Sequence, residues 1–140
     1  MPPVELKVSF NEEYRIIRFQ PIGVVENITQ ATKTISEIRK NVIKYSKTGK
    51  IWYIFDYSKV TFDLDVSYTL IVKDAFRKLA NLLIDNVIER ITVNRGDKTV
   101  SAMIPLFDNV FIHPAKVFGT IEEAEEYAIS KAKSYDNNAV

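Results

Sequence analysis

The stretch Ile51-Trp-Tyr-Ile-Phe55 constrains this chain more than any other feature. Five consecutive apolar residues, all aromatic or β-branched, are closed by Asp56. A strand with one wet face alternates apolar and polar side chains, whereas an unbroken run of this kind has both faces covered. It is read as a central strand. The rest of the chain must supply a layer on each side of it.

The flanking patterns supply such layers. Val4, Leu6, Val8 and Phe10 alternate with Glu5, Lys7 and Ser9, which marks a strand with one buried face. A turn at Asn11-Glu-Glu13 and a second strand over Tyr14–Phe19, stopped by Pro21 and Gly23, make an opening hairpin. Ile28, Ala31, Ile35, Ile38, Val42 and Tyr45 recur at helical spacing, so a helix is expected from Asn27, its cap, to Tyr45. A second helix is expected from about Asp65 to Asn86, burying Tyr68, Val72, Ala75, Phe76, Leu79, Leu82 and Leu83. Val87–Val93 and Lys116–Phe118 read as further strands. Between them, Lys98–Ile112 fits a helix broken or kinked at Pro105. Thr120-Ile-Glu-Glu123 is a capping box opening a last helix that buries Ile121, Ala124, Tyr127 and Ala128 and runs to about Lys133.

Strands alternating with helices imply parallel neighbours joined by right-handed crossovers. The expected fold is α/β: a mixed, mainly parallel sheet with an amino-terminal antiparallel hairpin, covered by about four helices. Residues 1–133 form one domain and 134–140 a frayed tail.

Composition narrows the function classes. The chain has 140 residues, 46% of them hydrophobic, which is too apolar for disorder. No run approaches the ~20 apolar residues of a membrane helix. Nineteen Lys+Arg against eighteen Asp+Glu leave a net charge of +1, without the basic excess of a nucleic-acid binder. The absence of Cys and a single His, His113, rule out a Cys/His zinc site, a thiol active site and disulfides. There is no P-loop, no G-x-G-x-x-G and no G-x-S-x-G. No catalytic residue, metal or cofactor is assigned. The amino terminus carries no signal-peptide pattern, so a cytoplasmic location is expected.

Sheets of this kind place their sites beyond the carboxyl ends of parallel strands. Here that end is Asp56-Tyr-Ser-Lys-Val-Thr-Phe-Asp-Leu-Asp65. Its three carboxylates suit a divalent cation or a phosphate-accepting aspartate. Turn and cap chemistry needs the same residue types, and is the reading adopted. In the helix that follows, Leu70 stands roughly 180° from the centre of the buried stripe, and Val66 also lies off it. Apolar side chains on a polar face mark a contact surface. Lys33, Lys40, Lys44 and Lys47 line the outer face of the first helix, with Arg39 and Lys50 near and only Glu37 against them. That stripe suits phosphate or a membrane surface, but any soluble amphipathic helix presents a polar face, which accounts for it without a partner.

The stretch Ile54-Phe-Asp-Tyr-Ser-Lys-Val-Thr-Phe62, leading into the second helix, resembles the STAS domain of bacterial anti-sigma-factor antagonists, the SpoIIAA-like family. There a central strand ends in a D-x-S-x-V-x-F type stretch before a D-S-x-G helix start. Val117-Phe-Gly-Thr-Ile-Glu-Glu-Ala-Glu-Glu-Tyr127 is similar to that family's terminal strand and helix. The resemblance implies a regulatory module whose protein partner binds around the start of the second helix. It places Asp65 where phospho-regulated members carry the switch serine and Ser67 where they carry glycine, so the phospho-serine switch is absent. The working surface it implies is Phe62, Asp63, Leu64, Asp65, Val66, Ser67 and Leu70. A divergent branch without the phosphosite is similar to the CRAL-TRIO lipid-binding domains. That likeness implies an alternative: an apolar small molecule or lipid bound between sheet and helices, in a cavity lined by Trp52, Phe55, Phe76, Met103 and Phe107.

Overall fold

The computed structural model describes residues 4–63, 73–102, 111 and 114–138. The order of elements is β1 (Glu5–Asn11), β2 (Ile16–Val25), α1 (Ile28–Tyr45), β3 (Ile51–Asp56), β4 (Val60–Phe62), α2 (Lys73–Asn86), β5 (Val87–Val93), β6 (Lys116–Phe118) and α3 (Ile121–Asn138). A further helical segment begins at 98–102, where Asp97 caps the Val100 amide at 2.9 Å. The sheet runs β1-β2-β3-β5-β6, with β4 joined to β2 off this path. Among the described residues only β1 and β2 pair antiparallel; every other pair is parallel. This is the expected α/β architecture, a mixed and mainly parallel sheet with an amino-terminal hairpin.

β3 holds the middle position, and its alternation divides the core in two. Ile51 and Tyr53 face Ile35, Ile38 and Val42 of α1 and Leu79 and Leu83 of α2. Trp52 and Ile54 face Ala124, Ala128 and Ala132 of α3. Those three alanines recur every four residues. Their small side chains let α3 lie close over the bulky Trp52, Ile54 and Ile91. The unbroken apolar run is explained by these two layers.

Helix starts follow their caps. Asn27 Oδ1 accepts the Gln30 amide at 2.9 Å, and Gln30 Oε1 reaches back to the Glu26 amide at 2.7 Å, one residue earlier than in a standard capping box. At α3, Thr120 Oγ1 accepts the Glu123 amide at 3.2 Å and donates to Glu123 Oε1 at 3.1 Å.

Three boundaries differ from the sequence expectation. β2 begins at Ile16, after a turn in which Asn11 Oδ1 accepts the Tyr14 amide, and it continues through Pro21 and Gly23 to Val25. It does so because β2 changes partner there. It pairs with β3 up to Phe19 and with β4 from Gly23, so Pro21 falls between the two parallel ladders, where no N–H is asked of it. Gly23, at φ 124°, accommodates the changeover. Second, the acidic segment after β3 is not all loop: Val60–Phe62 forms β4. Third, α3 passes Lys133 and runs on to Asn138 through residues expected as a frayed tail. Ala132 is buried, and the Tyr135 ring meets Trp52 edge-on at 6.2 Å, which gives those last turns something to pack against. The expected start of α2 at Asp65 and the expected break at Pro105 lie outside the described residues.

Candidate functional site

The carboxyl end of β3 carries a polar network built around a buried carboxylate. Parity puts Arg18 and Gln20 of β2 on the same face as Asp56 of β3, the side covered by α3. Asp56 is fully buried. Its Oδ2 accepts a 2.9 Å hydrogen bond from Gln20 Nε2, and its Oδ1 accepts the Ser58 amide at 2.9 Å. Arg18 lies 3.9 Å from Asp56 Oδ2 and donates through Nη1 to Glu125 Oε1 of α3 at 2.9 Å. The Ser58 bond is an Asx turn. It bends the chain through 57–59 so that Gly23 can donate to the Lys59 carbonyl at 3.1 Å and β4 can join β2.

The opposite face of the same strand end is aromatic. Ring centroids are 5.5 Å apart for Phe19–Tyr53, 6.3 Å for Tyr53–Phe55, 4.6 Å for Phe55–Tyr57 and 6.1 Å for Tyr57–Phe62. The row leads out of the core, since Tyr53 is buried while Phe55, Tyr57 and Phe62 are half-buried. A register shift between β3 and β5 sets Arg90 opposite Tyr53, and the Arg90 guanidinium stacks 3.3 Å over the Phe111 ring. Burial pushes the Tyr53 phenol well above the usual tyrosine range; nearby Tyr57 adds to this and Arg90 opposes it.

Of the working surface expected from the sequence, Phe62 ends β4 and Asp63 is exposed, its amide donating to the Val25 carbonyl at 2.9 Å. Leu64, Asp65, Val66, Ser67 and Leu70 lie outside the described residues. Of the five residues expected to line one cavity, the three described lie on opposite faces of the sheet. Trp52 packs in the α3-side cluster, whereas Phe55 and Phe76 pack on the α1/α2 side; Met103, Phe107 and His113 lie outside the described residues. The sequence held the signal for this. Positions 52 and 55 differ by an odd number, and in a strand odd separations point to opposite faces. Arg18, Gln20 and Glu125 were not expected at the site. Arg18 and Gln20 flank the apolar Phe19 in β2, which marks them as a polar pair on one face, but their meeting with Asp56 depends on β2–β3 register.

Among the described residues, a mixed sheet with an antiparallel opening hairpin, α1 and α2 on one face and α3 on the other makes an α/β module with the SpoIIAA-like fold. The crystal structure of an uncharacterized protein from the DUF3478 family with a SpoIIAA-like fold, from Shewanella loihica PV-4, matches it with a TM-score of 0.58. The match covers 91% of this chain and 95% of that chain at 10% sequence identity, a likeness of fold. No family model and no curated protein matches the sequence. Among the described residues, no helix is long and apolar enough to cross a membrane.

Proposed function

We propose that this chain is a non-catalytic regulatory or protein-interaction module of SpoIIAA/STAS type without a phospho-serine switch. Its working surface runs from Phe62 through Asp63, Leu64, Asp65, Val66 and Ser67 to Leu70. One observation carries this reading. The Asp56 carboxyl is committed to Gln20, the Ser58 amide and Arg18 inside the sheet, so the residue best placed for chemistry serves as the anchor of the segment that follows. That anchor sets Phe62 and Asp63 at the sheet's carboxyl rim, where Asp63 is exposed.

The test is binding. A partner captured by the purified chain and then reconstituted in pure form loses affinity with Asp63→Lys and with Leu70→Asp, while Lys116→Glu, on exposed β6, keeps it. Both rim variants retain the parent melting temperature. If Leu70→Asp unfolds the domain, or if affinity is unchanged in both rim variants, the working surface is elsewhere.

A second reading is binding of an apolar small molecule or lipid. It is supported by the aromatic row, in which Phe55 is the one half-buried residue of an otherwise buried central strand. On this reading Phe55 and Phe76 contribute and Trp52, on the other face, does not. Native mass spectrometry of protein purified without detergent separates the readings: added mass that Phe55→Ala removes supports the ligand, and a single unliganded mass with no lipid-induced melting shift rejects it.

A further inference from the structure

The sheet separates the charges that the composition balances. α1 lies on one face and α3 on the other. The outer side of α1 and the turn after it expose Lys33, Lys40, Lys44, Lys47 and Lys50. α3 exposes Glu122, Glu123 and Glu126 in its first turns on the far side, with Glu125 half-buried beside them and Lys131 and Lys133 exposed further along. α2, on the same face as α1, exposes Asp74 and Asp85 with Arg77 and Lys78. A chain of net charge +1 is thus polarised across its sheet, basic at α1 and acidic at the first turns of α3.

The α1 lysines are not spent internally. Among the described residues, none of these lysines comes within 4.0 Å of a carboxylate. Lys44 leans over the Tyr45 ring at 5.1 Å. Arg39, on the flank of the same helix, has a buried Nε with no acceptor. Half-buried Glu37, within the same face of α1, is the one carboxylate set among them, and it makes no ion pair with them.

Its shape selects among anionic partners. From Lys33 to Lys44 the row runs about 16 Å along α1, at about 1.5 Å per residue, and Lys47 follows in the turn. Such a line offers no concave cradle of converging donors for a single phosphate. It also carries an apolar residue: Ile43 is 45% exposed between Lys40, Lys44 and Lys47. A duplex backbone has nothing to offer that side chain. The boundary between lipid headgroups and acyl chains does. We infer that the outer face of α1 is a docking surface for an anionic phospholipid membrane, with Lys33, Lys40, Lys44, Lys47 and Lys50 facing the headgroups and Ile43 entering between them. The acidic start of α3 is then held away from the bilayer, which orients the molecule.

Vesicle co-sedimentation tests this with the full chain. The protein sediments with vesicles of phosphatidylcholine containing about 30% phosphatidylserine at low salt and not with phosphatidylcholine alone. Binding is lost near 0.5 M salt, where the screening length falls to roughly 4 Å. Lys40→Glu and Lys44→Glu each weaken partition at least about fivefold. Ile43→Ser weakens it without changing its salt dependence. Lys131→Glu, exposed on α3, leaves it unchanged, and circular dichroism confirms that every variant is folded. Equal binding to both vesicle types, no binding to either, or equal losses from Lys131→Glu and Lys40→Glu overturn the inference. So does a lysine row that, without vesicle binding, mediates duplex DNA binding or a head-to-tail contact between copies.

Discussion

Gln20 Nε2 donates to Asp56 Oδ2 at 2.9 Å between two neighbouring strands, and Asp56 is wholly buried. A buried carboxyl without partners is expensive, and this one has three. Asp56→Ala strands the Gln20 amide and the Ser58 N–H together. The expected loss is on the order of 2–4 kcal/mol in urea unfolding. Gln20→Leu combined with Asp56→Leu removes both partners and is expected to recover part of that loss, which a double-mutant cycle measures.

Arg15 clamps the opposite end of β3. It occupies the hairpin turn at φ 58°, and its guanidinium donates to the carbonyls of Lys50, Tyr45 and Gly49 at 3.2, 3.0 and 2.8 Å and to Thr48 Oγ1 at 3.1 Å. Its own carbonyl accepts the Trp52 amide at 2.9 Å. A planar fork is needed to reach four acceptors, so Arg15→Lys is not a conservative change. It is expected to cost about 1–2 kcal/mol and to speed amide hydrogen exchange over residues 46–50.

Tyr127 gives a pH window. Partial burial, together with the 2.6 Å hydrogen bond its hydroxyl donates to Glu89 and the charge of Glu89, raises the phenol to about 12. A group raised on folding contributes stability that is fully present below its unfolded value of about 10 and disappears as pH rises from there through the folded value. Denaturation midpoints of the parent are expected to fall more steeply between those two values than midpoints of Tyr127→Phe. Equal slopes reject the assignment.

Near the end of α3, the half-exposed Tyr135 covers part of the core. Truncation after Lys133 removes Tyr135 from the edge of Trp52, the only tryptophan in the chain. Its fluorescence is expected to shift to the red and to become accessible to iodide. An unchanged spectrum means that Tyr135 does not shield it.

Much of this was legible in residues taken one segment at a time. Ile51–Phe55 declared a strand covered on both faces, Asn27 and Thr120 capped helices, and Ile35, Ile38 and Val42 formed a buried stripe. The misjudged elements each depend on a neighbour. Pro21 stops a strand that needs a ladder bond at that position, yet β2 has no parallel partner there. Val60–Phe62 is too short to announce itself and becomes a strand because the end of β2 is free to receive it. Trp52 and Phe55 were grouped for their chemistry although strand alternation separates them.

Periodicity and capping are set by backbone geometry within a few residues, so the chain's own order of residues determined its elements, their buried faces and the central place of β3. Register and layering are set by packing between segments far apart in sequence. Only the tertiary structure brought Gln20 to Asp56 across 36 positions. It alone placed the lysines of α1 and the glutamates of α3 on opposite sides of one sheet. A residue's neighbours along the chain fix which way it turns, but what it meets there is decided by the strand or helix that arrives from elsewhere.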